Sequence, residues 1–283
     1  MVLVRGRRSR MINYTDRLTL LMRDIVSRVS ALSFIDMDDI LVFARFGRVH
    51  TDGAFATCHC LNLPPSEPGY YFWRDRDSGA ITRRSEWFVT KSPVVTVHDR
   101  SIKYLISFSL PRFCNQSLQR SRKGCFYDGD HDPWIAKLDT VVHELYHIDP
   151  EHKGIRRIER ADGSVAAHCH TPEFFEQVVR MVHEYLATDP DPAIYDFLRD
   201  DLTTLTVRHG GLVGTSFRSF PSYPQRFIER LVEQPACDPS LAHVEIEPLR
   251  AGRRRDVYTE ADLRLRRFTS DTSRCHVTRH KAA

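Results

Sequence analysis

The chain has 283 residues, of which 41% are hydrophobic and 28% are charged, and this excludes a peptide hormone, a disulfide-stapled toxin and a wholly disordered protein. No stretch approaches the roughly 18–20 uninterrupted apolar residues that cross a bilayer, and the basic N-terminus lacks the form of a secretory signal, so we expect no membrane partner. The net charge is only +4, and much of the excess lies at the two ends of the chain.

An amphipathic helix opens the folded region, since apolar residues recur at three- and four-residue steps between Tyr14 and Ser33. Short runs rich in valine, phenylalanine, tyrosine and isoleucine follow it and predict strands and hairpins. These runs are Ile40 to Phe46, Gly53 to Leu63, Tyr70 to Trp73, Glu86 to Val89, Val94 to His98 and Ile102 to Leu110. The last run is mostly apolar, so we expect it at the centre of the sheet.

Two further helices are predicted after the strands. Asp132 followed by Pro133 has the form of an N-cap with proline at the first helical position, and the apolar stripe that follows ends at Pro150. Thr171 and Pro172 repeat this start signal before a strongly apolar helix. The remaining predicted elements are a short helix and an extended segment, over Ala193 to Leu198 and Leu205 to Phe220.

Composition divides the chain into three regions. Residues 1–13 are a basic N-terminal tail and residues 14–234 are the folded domain. Residues 235–283 are expected to be an arginine-rich, loosely ordered C-terminal appendage, because the apolar pattern weakens there. The arginine-rich ends can hold phosphates, which makes nucleic acid a candidate partner. Solvated tails are the alternative interpretation, since few aromatic residues interleave with the charges.

Seven cysteines are scattered along the chain and form no dense framework. An odd number without close spacing is typical of reduced thiols, which predicts a cytoplasmic location. Cys58 and Cys60 flank His59, but this spacing is shorter than that of a structural zinc knuckle. We therefore expect these side chains to alternate across a strand.

The residues that carry chemistry lie in the first of the two later helices, where residues 143–147 read His-Glu-Leu-Tyr-His. A spacing of four places His143 and His147 one turn apart on the same helix face, so both imidazoles can bind one metal ion. Zinc accepts two such nitrogens at about 2.0–2.1 Å and leaves positions for a third protein ligand and a water. Glu144 lies close enough to take a proton from that water as a general base. The alternative is a surface helix that carries these residues by chance.

Three histidines are candidates for the third ligand. His152 follows Pro150, which ends the helix, so the chain would have to turn back for it to reach the metal. His168 and His170 are better placed, because they immediately precede the next helix. A ligand at either position would let that helix pack across the first and hold the metal between them.

Together these residues resemble the SprT-like zinc metallopeptidases. In that family an HExxH helix is followed along the chain by a histidine ligand and Gly-Pro-Glu-Phe or a close variant. The matching segment is His170-Thr171-Pro172-Glu173-Phe174, with threonine where glycine is usual. The segments YLISFSLPRF, HELYHIDP and GIRRI also resemble a group of phage-type metallopeptidases, and the likeness extends from about residue 14 to residue 215.

The resemblance implies an α+β, zincin-like fold in which a small mixed or antiparallel sheet packs on the HExxH helix and further helices. It implies His143, His147 and His170 as Zn2+ ligands, with His168 as the rival for the third place. It also implies Glu144 as the catalytic base and a protein or peptide as substrate. The chain has no recognisable C-terminal zinc ribbon, so recruitment to DNA, implied for some members, is supported only by the arginine-rich ends. The alternative functions are a nucleic-acid-associated binding protein with a structural or vestigial zinc site, and a metal-dependent hydrolase of a non-peptide bond.

Three nearby residues have roles that the sequence leaves open. Asp139, one turn before His143, is either an acceptor for a ligand imidazole or an exposed aspartate that stabilises its helix. Tyr146 is a candidate to stabilise an oxyanion. Arg156, like its neighbour Arg157, is either part of a substrate-binding rim or a solvated charge.

Overall fold

The computed structural model describes residues 11–47, 53–62, 67–118, 122–127, 133–151, 154–157, 170–218, 227–231, 233, 238–249 and 255–268. These residues form a mixed α+β fold of five α-helices and small sheets, which confirms the predicted α+β class. Within these ranges, no helix combines the length and the apolar character that a bilayer crossing requires.

The described residues contain five α-helices. They are α1 (Tyr14–Arg28), α2 (Pro133–Tyr146), α3 (Pro172–Ala187), α4 (Pro192–Tyr195) and α5 (Leu202–His209). The Thr171 side chain accepts a hydrogen bond from the Phe174 N–H at the start of α3, which confirms the predicted cap. The cap predicted at Asp132 lies outside the described residues.

The strands belong to five small sheets. They are β1 (Ile12–Asn13), β2 (Ile40–Gly47), β3 (Ala56–Cys60), β4 (Phe72–Arg74), β5 (Ile81–Ser85), β6 (Phe88–Lys91), β7 (Val94–Val97), β8 (Arg100–Ser101), β9 (Tyr104–Pro111), β10 (Leu212–Phe217), β11 (Phe227–Arg230), β12 (Glu245–Glu247), β13 (Val257–Thr259) and β14 (Leu263–Phe268). Sequence patterning missed β5, in which Arg83 and Arg84 occupy positions where apolar residues are typical of a strand.

The buried strand β9 organises the fold. It pairs in parallel with β2 and antiparallel with β3, and every residue from Tyr104 to Pro111 is buried, which confirms its predicted central position. Tyr104, Ile106, Phe108 and Leu110 pack in the main core with the helices. Leu105 belongs to a second, smaller core on the other side of the strand. Strand β9 thus separates the helical layer from the later strands.

The helix α2 lies between β3 and α3 and contacts both elements. The buried face of α2 includes Leu138, Val141, Val142 and Leu145, none of which is exposed to solvent. Because these residues fix the rotation of α2 about its axis, the helix face that carries the histidines is directed towards the start of α3.

The described part of the C-terminal region is integrated into the fold, and this corrects the expectation of a loosely ordered appendage. Strand β14 pairs with β10 along its whole length, and β13 pairs with β7. Tyr258 is only 5% exposed and lies in the second core against Phe217. The arginine content of this region predicted a solvated tail, but arginines such as Arg266, whose guanidinium lies over the Phe268 ring, pack on apolar residues.

The prediction of an extended segment over residues 205–220 is wrong for its first half, where the chain forms α5. Asp201 caps α5 by accepting a hydrogen bond from the Thr204 N–H at 2.7 Å, and Gly210 ends the helix with φ +67°. Glycine adopts this left-handed conformation without steric cost. Strand β10 then begins at Leu212, as the extended prediction requires.

Replacing Tyr258 by alanine is expected to lower the free energy of unfolding by about 3–5 kcal/mol, because a large aromatic side chain leaves the second core. The neighbouring Val257 is 48% exposed, so Val257→Ala should change stability by less than about 0.5 kcal/mol. Urea denaturation of both variants measures the difference. Equal, small effects would show that the C-terminal strands contribute little to the fold.

Candidate metal centre

Three imidazoles converge between α2 and the start of α3. The Nε2 atoms of His143 and His147 are 3.1 Å apart, those of His143 and His170 are 3.0 Å apart, and those of His147 and His170 are 3.1 Å apart. His143 lies in the last turn of α2, and His147 directly follows the helix, where its N–H donates to the His143 carbonyl at 3.2 Å. The residue before the Thr171 cap supplies the third ring. The structure thus brings together the three residues that the family resemblance implies as ligands.

Hydrogen bonding among the three rings cannot account for this triangle. Each Nε2 atom is either a donor or an acceptor, never both at once. With three nitrogens and two roles, at least one pair brings together two donors or two acceptors at about 3 Å, which is repulsive. A cation that accepts all three lone pairs removes the conflict.

The spacing of the nitrogens fits such a cation. Two imidazole nitrogens at about 2.0–2.1 Å from one ion, separated by a tetrahedral angle, lie about 3.3–3.4 Å apart. The observed separations of 3.0–3.1 Å are within a few tenths of an ångström of this value. His143, His147 and His170 are the one group of three such ligands that the described residues bring together.

The aromatic residues at the start of α3 hold the rings in place. The Phe174 ring lies 5.0 Å from the His143 ring and 4.9 Å from the His147 ring, measured between centroids. The Phe175 ring stacks on the His170 ring at 5.8 Å. Because Phe174 is fully buried in the main core, the packing of α3 on α2 positions the three imidazoles together.

Burial favours the neutral form of the three imidazoles. Burial lowers the pKa of His147 to about 3, with the neighbouring His170 and Lys123 adding to the effect. The pKa of His143 falls for the same main reason, and that of His170 is also lowered. The three rings are therefore neutral at pH 7, which is the form that binds zinc.

Glu144 points into the same cleft from the turn between the two histidines. Its side chain is 5% exposed, and its Oε2 atom has no hydrogen-bond partner among the described residues. Burial raises its pKa to about 7, while the Lys123 charge and a hydrogen bond from the Cys58 N–H act in the opposite direction. A carboxyl with a pKa near neutrality is suited to accept and release a proton at physiological pH.

Glu144→Gln is expected to stabilise the metal-free protein at alkaline pH. A carboxyl whose pKa rises from 4.5 to about 7 on folding costs nothing well below pH 4.5, opposes folding increasingly between pH 4.5 and about 7, and adds no further cost at higher pH. The variant should therefore unfold with a free energy about 3 kcal/mol higher at pH 8 and less than about 1 kcal/mol higher at pH 5. Urea denaturation with chelator at both pH values measures this gap. A gap that does not grow with pH would contradict the burial of an ionisable Glu144.

The sequence also suggested His152 and His168 as rival third ligands and Asp139 as a partner of a ligand imidazole. His152 and His168 lie outside the described residues. Asp139 is neither exposed nor bonded to an imidazole: Lys123 and the Tyr127 hydroxyl bind its two carboxylate oxygens. The Nδ1 atoms of His143 and His147 have no hydrogen-bond partner among the described residues.

Tyr146 and Arg156 contact each other at the C-terminal end of α2. The Arg156 Nε atom donates to the Tyr146 carbonyl at 2.8 Å, and the Arg156 N–H donates to the His147 carbonyl at 2.7 Å. The guanidinium also lies 4.3 Å from the centroid of the Tyr146 ring. These contacts satisfy carbonyls at the end of α2 that have no partner within the helix, so neither predicted role is needed to explain the two side chains.

The cleft in front of the histidines has a volume of about 440 Å³. Residues 54–58, which lead into and include part of the edge strand β3, form one wall, and Ile155 contributes to another. Gln116, Lys123 and Thr140 also line it, and sequence reasoning missed all three. Gln116 and Lys123 lie far from the motif along the chain, so only the fold brings them to the metal centre.

The thiol of Cys58 also lines this cleft. Burial raises its pKa well above the ordinary value, and the nearby Glu144 carboxylate and Cys60 raise it further. Cys58 does not belong to the group of three converging ligand atoms, which is formed by His143, His147 and His170.

Three of the four arginines described between residues 255 and 268 have partners within the fold. Arg255 pairs with Asp262, and the Arg267 Nη2 atom donates to the Gly210 carbonyl at 3.0 Å. The Arg266 guanidinium lies 5.5 Å from the centroids of the Phe46 and Phe268 rings. These contacts give nucleic-acid binding no additional support, and that partner stays a prediction.

Comparison of the chain with protein-family models, with curated proteins and with solved structures found no match. The function of the protein is therefore inferred from its own site residues and their geometry.

Proposed function

We propose that this protein is a zinc-dependent metallopeptidase whose metal is bound by His143, His147 and His170. The observation that carries the proposal is the triangle of Nε2 atoms 3.0–3.1 Å apart, with the buried Glu144 carboxylate beside it in a cleft. The resemblance of the motif and of His170-Thr171-Pro172-Glu173-Phe174 to the SprT-like peptidases supports the same function. A protein or peptide is the proposed substrate.

The chemistry divides between the metal and the protein. Bound zinc supplies a Lewis acid that polarises a scissile carbonyl and lowers the pKa of a water molecule. Glu144 takes the proton of the attacking water on Oε2 and passes it to the leaving amine. The Cys58 N–H holds the carboxylate from the side of β3, so the general base is oriented before the substrate arrives.

The walls of the cleft suit a peptide segment. Ala54, Phe55, Ala56 and Ile155 make part of the lining apolar, and such a surface excludes water from the reacting groups when a substrate covers it. Water exclusion strengthens the electrostatic effect of the metal and of Glu144 on the developing charge. A cleft of about 440 Å³ accommodates a few residues of an extended chain.

Hydrolysis of fluorescently labelled denatured casein tests the proposal. The zinc-loaded protein is expected to release fluorescent peptides, and a chelator should stop the release until zinc is restored. A parallel panel of small esters and amides tests the alternative of a non-peptide hydrolase. Activity on that panel without any zinc-dependent cleavage of casein or of an unbiased peptide library would contradict a peptidase.

A further inference from the structure

One end of the catalytic cleft carries a polar cluster that the proposed mechanism does not use. The cluster consists of Lys123, Gln116 and Thr140, all of which line the cleft together with His143 and Glu144. Thr140 lies on α2 one turn before His143. The cluster therefore borders the metal centre on the N-terminal side of the HExxH motif.

The Lys123 ammonium is fixed in position by buried groups. It pairs with the Asp139 carboxylate, which is only 1% exposed, and the Tyr127 hydroxyl donates to the other Asp139 oxygen at 2.8 Å. The Lys123 side chain itself is 15% exposed. A lysine held in this way presents a positive charge to the cleft without the entropic cost of ordering a flexible side chain.

Gln116 adds a second polar group that is incompletely bonded. Its Nε2 atom donates to Thr140 Oγ1 at 2.9 Å, whereas its buried Oε1 atom has no partner among the described residues. The residue is 5% exposed. A buried amide with one end unpaired is costly, and a half-turn of the amide lets Thr140 donate to Oε1 and leaves the Nε2 donor without a partner among the described residues. The amide can thus offer a donor to a ligand.

We propose that Lys123 and Gln116 form a subsite for a substrate carboxylate, so that the enzyme prefers an aspartate or glutamate side chain close to the bond that it cleaves. The inference rests on the proposed peptidase function. A carboxylate accepts hydrogen bonds from an ammonium and from an amide N–H at the same time. A neutral glutamine of the same shape lacks the charge, and a basic side chain is repelled by Lys123.

Binding to a non-hydrolysing protein tests the subsite separately from catalysis. Zinc-loaded Glu144→Gln protein is titrated with blocked alanine hexapeptides that carry one glutamate, placed at each position in turn, and with the matching glutamine peptides. At one position we expect the glutamate peptide to bind at least about tenfold more tightly. Lys123→Met in the same background should reduce this ratio to about one.

Two further variants keep the test decisive if Lys123→Met unfolds because Asp139 loses its partner. Lys123→Met combined with Asp139→Asn removes both charges and should also reduce the ratio to about one. Asp139→Asn alone removes the internal counter-ion of the ammonium, so the preference for glutamate should increase. The control is Lys91→Met: this lysine pairs with Glu229 on the exposed surface, and the ratio should not change.

Three binding results would overturn the subsite. The first is a ratio of glutamate-peptide to glutamine-peptide affinity near one at every position. The others are a preference for glutamate that survives the removal of Lys123, and the absence of measurable binding by every peptide. If Lys123→Met lowered the turnover of acidic and neutral substrates equally, Lys123 would act on Glu144 and not on a substrate carboxylate. This result would also overturn the subsite. Failure of the peptidase function can be distinguished from failure of the subsite. In that case the parent protein would bind the glutamate peptide selectively but would show no zinc-dependent cleavage.

Discussion

Replacing Glu144 by glutamine is expected to lower kcat by a factor of about 10²–10⁴ while the protein keeps its zinc, since this is the usual contribution of a positioned general base. Glutamine has nearly the same size and keeps an oxygen near the Cys58 N–H, so the geometry of the cleft should persist. Its amide cannot accept the proton of the attacking water. The loss should therefore appear in kcat, with little change in KM.

The matched control is Glu176→Gln, the same substitution at an exposed position on α3. Zinc content and casein hydrolysis are measured for the parent and both variants. We expect the Glu176→Gln protein to match the parent in both properties. A Glu144→Gln protein that hydrolyses casein at the parental rate would exclude the general-base role, and one that has lost its zinc would mean that Glu144 supports the metal site itself.

His170→Ala is expected to weaken zinc binding by more than the roughly 10–100-fold that the loss of an outer-shell partner costs, because a metal–nitrogen bond is removed outright. The two remaining histidines, His143 in α2 and His147 just after its end, can still hold zinc weakly. Hydrolysis should fall with the zinc content, and added zinc should restore part of it. Competition with a chelating indicator measures the zinc dissociation constant.

His183→Ala controls for the removal of a histidine from this part of the protein. His183 lies exposed on α3, in the sequence His183-Glu184 that begins like the motif but has no second histidine. Its replacement should leave the zinc dissociation constant unchanged. If His170→Ala behaves like His183→Ala, the third ligand is another residue, and His168→Ala and His152→Ala then identify it.

Local signals were sufficient to predict the elements that position the metal ligands. The four-residue spacing of His143 and His147 defines one helix face, and Thr171 with Pro172 marks the start of α3 next to His170. Such signals depend on a few neighbouring residues, which is why they are visible in a single sequence. The convergence of the three Nε2 atoms also required that α3 packs on α2, and the apolar stripes of both helices predict only that each has a partner.

Features that depend on distant parts of the chain were not predictable. Lys123 and Gln116 reach the metal centre from the segments between β9 and α2, and nothing in their local sequence marks them. Strand β14 reads Leu-Arg-Leu-Arg-Arg-Phe and buries only Phe268 among its residues, so its arginine content predicted a solvated tail instead of a paired strand. The burial of Tyr258 against Phe217 depends on the pairing of β13 with β7, which sequence spacing alone does not specify.

X-ray absorption at the zinc edge of the zinc-loaded protein tests the central claim most directly, because it reports the atoms bound to the metal. The triangle formed by His143, His147 and His170 predicts one zinc per chain with three imidazole nitrogens at about 2.0–2.1 Å and a further light atom from water. Sulfur neighbours at about 2.3 Å, or a protein that binds no zinc, would contradict the proposed metal centre.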